Sequence, residues 1–287
     1  MLTAGVDLAA EPRGTALAVL DWSGPTVGVV ELAVAVSDAQ IVAIAPSVAS
    51  LGIDCAFGWP DDFVAFVASH SAGERLDRSI EDRTGSGMAW RRRLAYRETD
   101  RAIREITGRW PLSVATDRLG LTAMHCAVLL DALGDGRDTE NRGGAVDRSG
   151  CGFVAEVYPS ATLRTWGFST MGYKADATIR AGLLATIIER APWLDLGAVA
   201  ELMTASDDAF DAVIAALAAR AHALGFWHRP VVDSLDRARR EGWIVLPTVD
   251  LAALRPEPDA QNQMPRTRYS EPDAQNQMLR TRCSARA

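Results

Sequence analysis

Residues 5–22 read GVDLAAEPRGTALAVLDW, and the fold turns on how this stretch is read. Two apolar runs flank Glu11-Pro12-Arg13-Gly14, a cluster that turns a chain, so the stretch predicts two antiparallel neighbouring strands. The first run carries Asp7 between Val6 and Leu8, where a buried charge is costly unless something pairs with it. The same puzzle recurs at residues 52–60, GIDCAFGWP, where Asp54 follows Ile53 in a second apolar run.

Working outward, residues 2–9, 14–22 and 26–36 predict three antiparallel strands, with a second turn at Ser23-Gly24-Pro25. Residues 38–49 predict a helix, and LGIDCAFGWP a fourth strand ending at Gly58 and Pro60. A helix between strands three and four switches the sheet from antiparallel to parallel pairing. Residues 61–150 read as a charged, mainly helical insertion with a glycine-rich loop at GDGRDTENRGG. FVAEVYPS predicts a fifth strand, followed by helices over 175–190, 197–204 and SDDAFDAVIAALAARAHAL. The expected fold is therefore α/β, a mixed five-stranded sheet of three antiparallel then two parallel strands flanked by helices. This order of elements is that of the ribonuclease H-like fold.

The domain is expected to span residues 1–254. EPDAQNQMPRTR from Glu257 recurs as EPDAQNQMLRTR from Glu271, so residues 255–287 read as a disordered tail with a duplicated polar segment. Two polar copies cannot bury a face as a solenoid does.

The chain of 287 residues is 48% hydrophobic and 23% charged, which suits an ordinary globular core. Its net charge of -7 argues against coating nucleic acid by bulk electrostatics and confines any such contact to a local patch. Cys55, Cys126, Cys151 and Cys283 form no C-x-x-C pair, so a reducing cytoplasm is the expected compartment. No stretch reads as a signal peptide or membrane span, since Glu31 interrupts the longest apolar run.

GVDLA, IDCAFGWP, YRETDRAIRE, PLSVATDRLG, EVYPSATLRTWG with GYK after it, DAFDAVIAALAAR and EGWIVLP together resemble the family called domain of unknown function 429. The resemblance covers roughly residues 3–248 and leaves out the tail. It implies a ribonuclease H-like core and a nuclease activity.

In such a fold the first and fourth strands lie side by side, about 4.8 Å apart, so Asp7 and Asp54 point at one place. At about 5 Å and an effective dielectric near 20, two ionised carboxylates repel by roughly 3 kcal/mol. A divalent cation removes that repulsion, and oxygen-only ligands suit Mg²⁺ or Mn²⁺. Backbone donors at the strand ends are the competing explanation. Ser206 is a good helix N-cap, Asp207 and Asp208 suit the first turn, and Asp211 flanks the apolar face of Phe210, Ile214, Leu217 and Ala221. Asp211 is the expected third ligand, with Asp208 able to help from one turn earlier. The alanines at 212, 215, 216, 218 and 219 leave room for that helix to approach the sheet. Glu156 is a fourth acid candidate for catalysis, and Lys174 a candidate for meeting a phosphate oxygen.

Metal-bound carboxylates activate water for phosphodiester displacement, so no protein nucleophile is needed. No serine lies in a G-x-S-x-G elbow. For the substrate, Arg93, Arg97, Arg101 and Arg104 read as one basic ridge along a single helix, a surface suited to a nucleic-acid backbone. Interleaved Glu98, Asp100 and Glu105 offer internal pairing instead. Trp59, Trp90 and Trp110 are candidates for base stacking or for packing. Two further classes stay open. The opening hairpin also resembles the phosphate-binding hairpin of actin, sugar kinases and heat-shock ATPases, and a non-catalytic binding protein on the same fold would keep the acids for structure.

Overall fold

The computed structural model describes residues 1–74, 87–137 and 146–256. Part of the glycine-rich loop, residues 138–145, and the duplicated segment from residue 257 onward lie outside the described residues.

A six-stranded mixed sheet forms the centre. Its strands are β1 (Leu2–Asp7), β2 (Ala16–Asp21), β3 (Val27–Val34), β4 (Ser50–Asp54), β5 (Val154–Glu156) and β6 (Leu194–Asp195), in the order β5-β4-β1-β2-β3-β6. The hairpins β1/β2 and β2/β3 are antiparallel, while β4 runs parallel to β1 and β5 parallel to β4. The sequence predicts five strands, and the sixth is the correction: two residues pair parallel to the edge strand β3. Val27 N–H donates to Trp193 O at 2.7 Å beside it. A two-residue strand has no periodicity to detect. The predicted first and fourth strands are also too long, because the chain leaves the sheet at Asp7 and Asp54.

The helices are α1 (Asp38–Ile44), α2 (Asp61–Ser71), α3 (Met88–Ala95), α4 (Glu98–Thr107), α5 (Gly120–Arg137), α6 (Pro159–Thr165), α7 (Ala177–Arg190), α8 (Val199–Ala205), α9 (Asp207–Ala223) and α10 (Leu235–Glu241). Two of them depart from expectation. Pro159, predicted to end the fifth strand, occupies the start of α6, where its missing N–H costs nothing. The short α10 was not foreseen.

Both faces of the central strands are buried, and side chains alternate between them. Ala16, Ala18 and Leu20 pack with Phe210, Val213, Ile214 and Leu217 of α9. Val6, Leu17, Val19 and Ile53 pack on the opposite side with Ile41 of α1 and Leu129 and Leu133 of α5. Helix α9 starts at Ser206, whose Oγ accepts from Ala209 N–H at 3.1 Å. Every residue from Ala209 to Ala221 in it is buried.

The approach of α9 to the sheet is unusually close. A Cβ on Gly5 would lie 2.1 Å from Ala216 N and 2.2 Å from Ala212 O, and one on Gly52 2.7 Å from Ala215 O. Glycines in the strands and alanines on the helix together let backbone meet backbone. This contact positions the site.

Candidate metal centre

Strand alternation decides where the two strand aspartates point. Val6 and Ile53 face the α1/α5 side, so Gly5, Asp7, Gly52 and Asp54 face α9. Asp7 and Asp54 are register partners at the ends of adjacent parallel strands. Asp211 belongs to the helix lying against those glycines, one residue before Ala212. Among the described residues, Asp7, Asp54 and Asp211 form a group in which one carboxylate oxygen from each lies within 4.8 Å of the others. Asp211 is fully buried, whereas Asp7 and Asp54 are half-buried at the floor of a cleft of about 230 Å³.

Two neighbours hold Asp211. Tyr173 O–H donates to its Oδ1 at 2.9 Å, and Lys174 Nζ lies 2.5 Å from its Oδ2. Arg180, itself buried, donates to the backbone oxygens of Tyr173 at 2.6 Å and Lys174 at 3.2 Å and so fixes both. Of Tyr173, Lys174, Arg180 and Asp211, Lys174 is the one that reaches solvent, with its side chain 49% exposed.

Three carboxylates against one ammonium leave the cluster short of positive charge. Burial, then the charges of Asp54 and Asp211, push Asp7 well above the ordinary aspartate range despite Lys174. Burial raises Asp54 to about 7, with Lys174 opposing and Asp211 and Glu156 adding to the rise. Asp211 also rises through burial, moderated by Lys174 and Tyr173. Burial works against the charged form of Lys174, yet Asp211, Asp54 and Asp7 hold its pKa above the usual lysine value.

The donor set suits a hard divalent ion. The three groups are carboxylates, and the nearest sulfur, Cys55, stays protonated: its contact with Cys126, then burial, raises the thiol well above its normal range. Cys55 Sγ also contacts Thr122 O at 3.5 Å. Oxygen ligands without nitrogen or sulfur are what Mg²⁺ and Mn²⁺ take.

The other predicted site residues fall elsewhere. Asp208 is outside the three-carboxylate group, and its charge helps to raise Asp7. Glu156 lines the same cleft, but its oxygens are already engaged. Arg97 donates to Oε1 at 2.7 Å and to Oε2 at 2.9 Å, and Phe57 N–H donates to Oε2 at 3.0 Å. Burial raises Glu156 in spite of Arg97. Gly242 completes this knot, because a Cβ there would meet Glu156 Oε2 at 2.4 Å and its φ is +87°.

The single basic ridge is corrected. The helix breaks at Tyr96, so Arg93 lies in the last turn of α3 while Arg101 and Arg104 belong to α4. Arg97 sits between them, buried, donating from its backbone N–H to Asp100 Oδ2 at 2.9 Å and from Nη2 to Asp100 Oδ1 at 3.0 Å. Asp100 three residues into α4 accepts from the residue before it, which starts a new helix there. Arg101 pairs with Glu98 at 3.2 Å, leaving Arg93 and Arg104 exposed on different helices. Trp59 packs with Ala56, Val114 and Ala123, Trp90 meets Phe66 edge-on, and Trp110 stacks on Tyr96.

Sequence reasoning missed Tyr173, whose buried hydroxyl orients Asp211, and the Arg97 clamp on Glu156. Tyr173 left a trace in the motif GYK. Arg97 left only the Arg-x-x-Asp spacing of a helix start.

None of the described helices is long and apolar enough to cross a membrane. No curated protein and no solved structure matches the chain. One family matches residues 5–234, a stretch that contains Asp7, Asp54, Glu156, Lys174 and Asp211 and ends just before α10. The chain belongs to the family described as protein of unknown function (DUF429).

Proposed function

We propose that the protein is a metal-dependent phosphodiester hydrolase of nuclease type, built on a ribonuclease H-like core. The observation that carries this reading is the convergence of Asp7, Asp54 and Asp211 from two parallel strand ends and one helix onto one spot within 4.8 Å. The strand order β5-β4-β1-β2-β3, with β2 alone reversed, supports the core assignment.

Asp7, Asp54 and Asp211 would hold one or two Mg²⁺ or Mn²⁺ ions, which supply a Lewis acid for a phosphate oxygen and a lowered pKa for bound water. The chain's own groups do the remaining work. Tyr173 keeps Asp211 oriented by its hydroxyl, and Arg180 keeps Tyr173 in place. Lys174 neutralises part of the carboxylate charge and is the cation at the cleft that would meet a phosphate oxygen. Pro111, Leu112 and Leu119 wall the cleft with apolar surface, which strengthens charge interactions at its floor.

The test is incubation of purified protein with labelled single-stranded, double-stranded, hybrid and junction substrates, in Mn²⁺, Mg²⁺ or chelator. Cleavage that needs the metal and is lost in Asp7→Asn, Asp54→Asn and Asp211→Asn is the expected result. Equal residual cleavage in all three variants overturns the assignment.

A further inference from the structure

Beside the acid cluster, two segments bring aromatic side chains together at the surface. Tyr96 follows α3 and Trp110 follows α4, and their rings stack with centroids 4.2 Å apart and planes 25° from parallel. Ser113 Oγ donates to Ala95 O and clips the second segment to the first. Trp110 nevertheless leaves 41% of its surface in solvent, and Leu112 leaves 48%. Folding alone would tend to bury an indole more completely, since its area is large. Pro111 and Leu112, the next residues along, line the cleft that holds Asp7 and Asp54. Exposed Arg93 and Arg109 flank the pair in the chain, three residues before Tyr96 and one before Trp110.

We infer that Tyr96 and Trp110 form a stacking platform for an unpaired base, so that the substrate the site takes is single-stranded nucleic acid. The inference rests on the phosphodiesterase reading for what happens to the strand after it is held. A ring face open to solvent accepts any base, and cations beside it hold the backbone; this pairing is how sequence-tolerant single-strand sites work. In a duplex both faces of an internal base are covered by its neighbours, so the platform has nothing to stack on. The cleft agrees in size. At about 230 Å³ it is below the roughly 300–1,000 Å³ of pockets that enclose a drug-sized ligand, which suits one phosphodiester drawn in from a pliable strand.

The experiment measures binding in chelator at low salt, where no cleavage intervenes, by fluorescence anisotropy of labelled oligo(dT), oligo(rU) and a duplex of equal length. Trp110→Leu keeps apolar bulk against Tyr96 but removes the ring, and Trp110→Phe restores one. Trp110→Leu is expected to weaken single-strand binding about 5- to 100-fold, Trp110→Phe to recover most of it, and the duplex to bind weakly throughout. The two oligomers distinguish DNA from RNA. Wild-type affinity in Trp110→Leu with an unchanged melting curve, or a duplex that binds as tightly as the single strand, overturns the inference. If Trp110→Leu melts early, failure of Trp110→Phe to bind better than it at a temperature where both are folded overturns it equally. Cleavage of bis(p-nitrophenyl) phosphate by the wild type in Mn²⁺ reports on the chemistry separately. Cleavage of that ester without Trp110-dependent strand binding leaves the phosphodiesterase reading standing and removes the platform. Strand binding through Trp110 without any metal-dependent cleavage does the reverse.

Discussion

At one side of the cleft Glu156 and Asp100 share the Arg97 guanidinium, which meets both of them within 3.0 Å. At the other side Asp7, Asp54 and Asp211 share the single ammonium of Lys174. Both clusters are acidic, and Glu156 and Arg97 of one and Asp7, Asp54 and Lys174 of the other line one cavity. The difference is compensation. Arg97 presents a fork that satisfies Glu156 on both oxygens, and Phe57 N–H and Arg97 N–H complete the set. Nearby Glu241 is likewise satisfied, accepting from Asp61 N–H and Glu98 N–H at 2.8 Å each and so anchoring the starts of α2 and α4. Lys174 makes its ion pair with Asp211 and lowers Asp7 and Asp54 only through its charge, and those two face each other across the register with raised pKa values. The paired acids of the Arg97 cluster are held as structure, while the Asp7–Asp54–Asp211 cluster is short of counter-charge, which is the ground for the proposed cation site.

The comparison breaks first at Arg97. Arg97→Met leaves two buried carboxylates without their partner and is expected to destabilise the protein by about 3–5 kcal/mol. Urea unfolding of the variant measures this, and a loss below about 1 kcal/mol contradicts a clamp that compensates Glu156 and Asp100.

Asp54→Asn has the opposite expected sign. Removing one of two facing carboxylates while keeping its shape should stabilise the metal-free protein by about 1–3 kcal/mol at neutral pH. Because Asp54 sits near 7 when folded and near 3.8 in its unperturbed state, the folded protein keeps a proton that the unfolded chain releases. Stability from this site is therefore present below about 4 and falls as pH rises through about 7, and the substitution flattens that slope. Millimolar Mn²⁺ should raise the melting temperature of the wild type by mass action and that of the variant much less. Melting curves in chelator and in Mn²⁺ check all three, and a destabilised variant with an unchanged metal response argues for backbone-held Asp54.

A smaller effect is expected at His125, which faces an acceptor from each ring nitrogen: Ala9 O at 2.6 Å and Asp38 Oδ1 at 2.7 Å. Burial opposes its charge, but Ala9 O and Asp38 raise its pKa above the usual 6.5. The imidazolium thus adds stability below about 6.5 that is lost as pH rises through the folded value. His125→Gln should remove about 0.5–1 kcal/mol at pH 5.5 and little at pH 8.5, read from unfolding at both. An equal loss at both values would place the contribution in packing.

The residues legible in sequence are those whose environment is local. Asp7 and Asp54 stand out because a charge interrupts a run of apolar residues, and Asp211 because helical spacing sets it beside an apolar face. Glu156 was legible as an acid in a strand but not as Arg97's partner, since the two are 59 residues apart. The arginine ridge failed for a local reason that is easy to overlook. No proline or glycine separates Ala95 from Glu98; the break comes from Asp100 capping the backbone of Arg97.

Sequence by itself determined the meander of β1, β2 and β3, the parallel return through β4, the alanine-rich helix α9 and the identity of three acids that meet. Alternation and helical periodicity are properties of neighbours in the chain, so they survive without coordinates. Tertiary structure alone decided which charges are compensated. It set Arg97 on Glu156, Tyr173 and Lys174 on Asp211, and α9 against Gly5 and Gly52. The free energy of a buried charge depends on what lies within a few ångströms in space, and residues tens to hundreds of positions apart supply those neighbours.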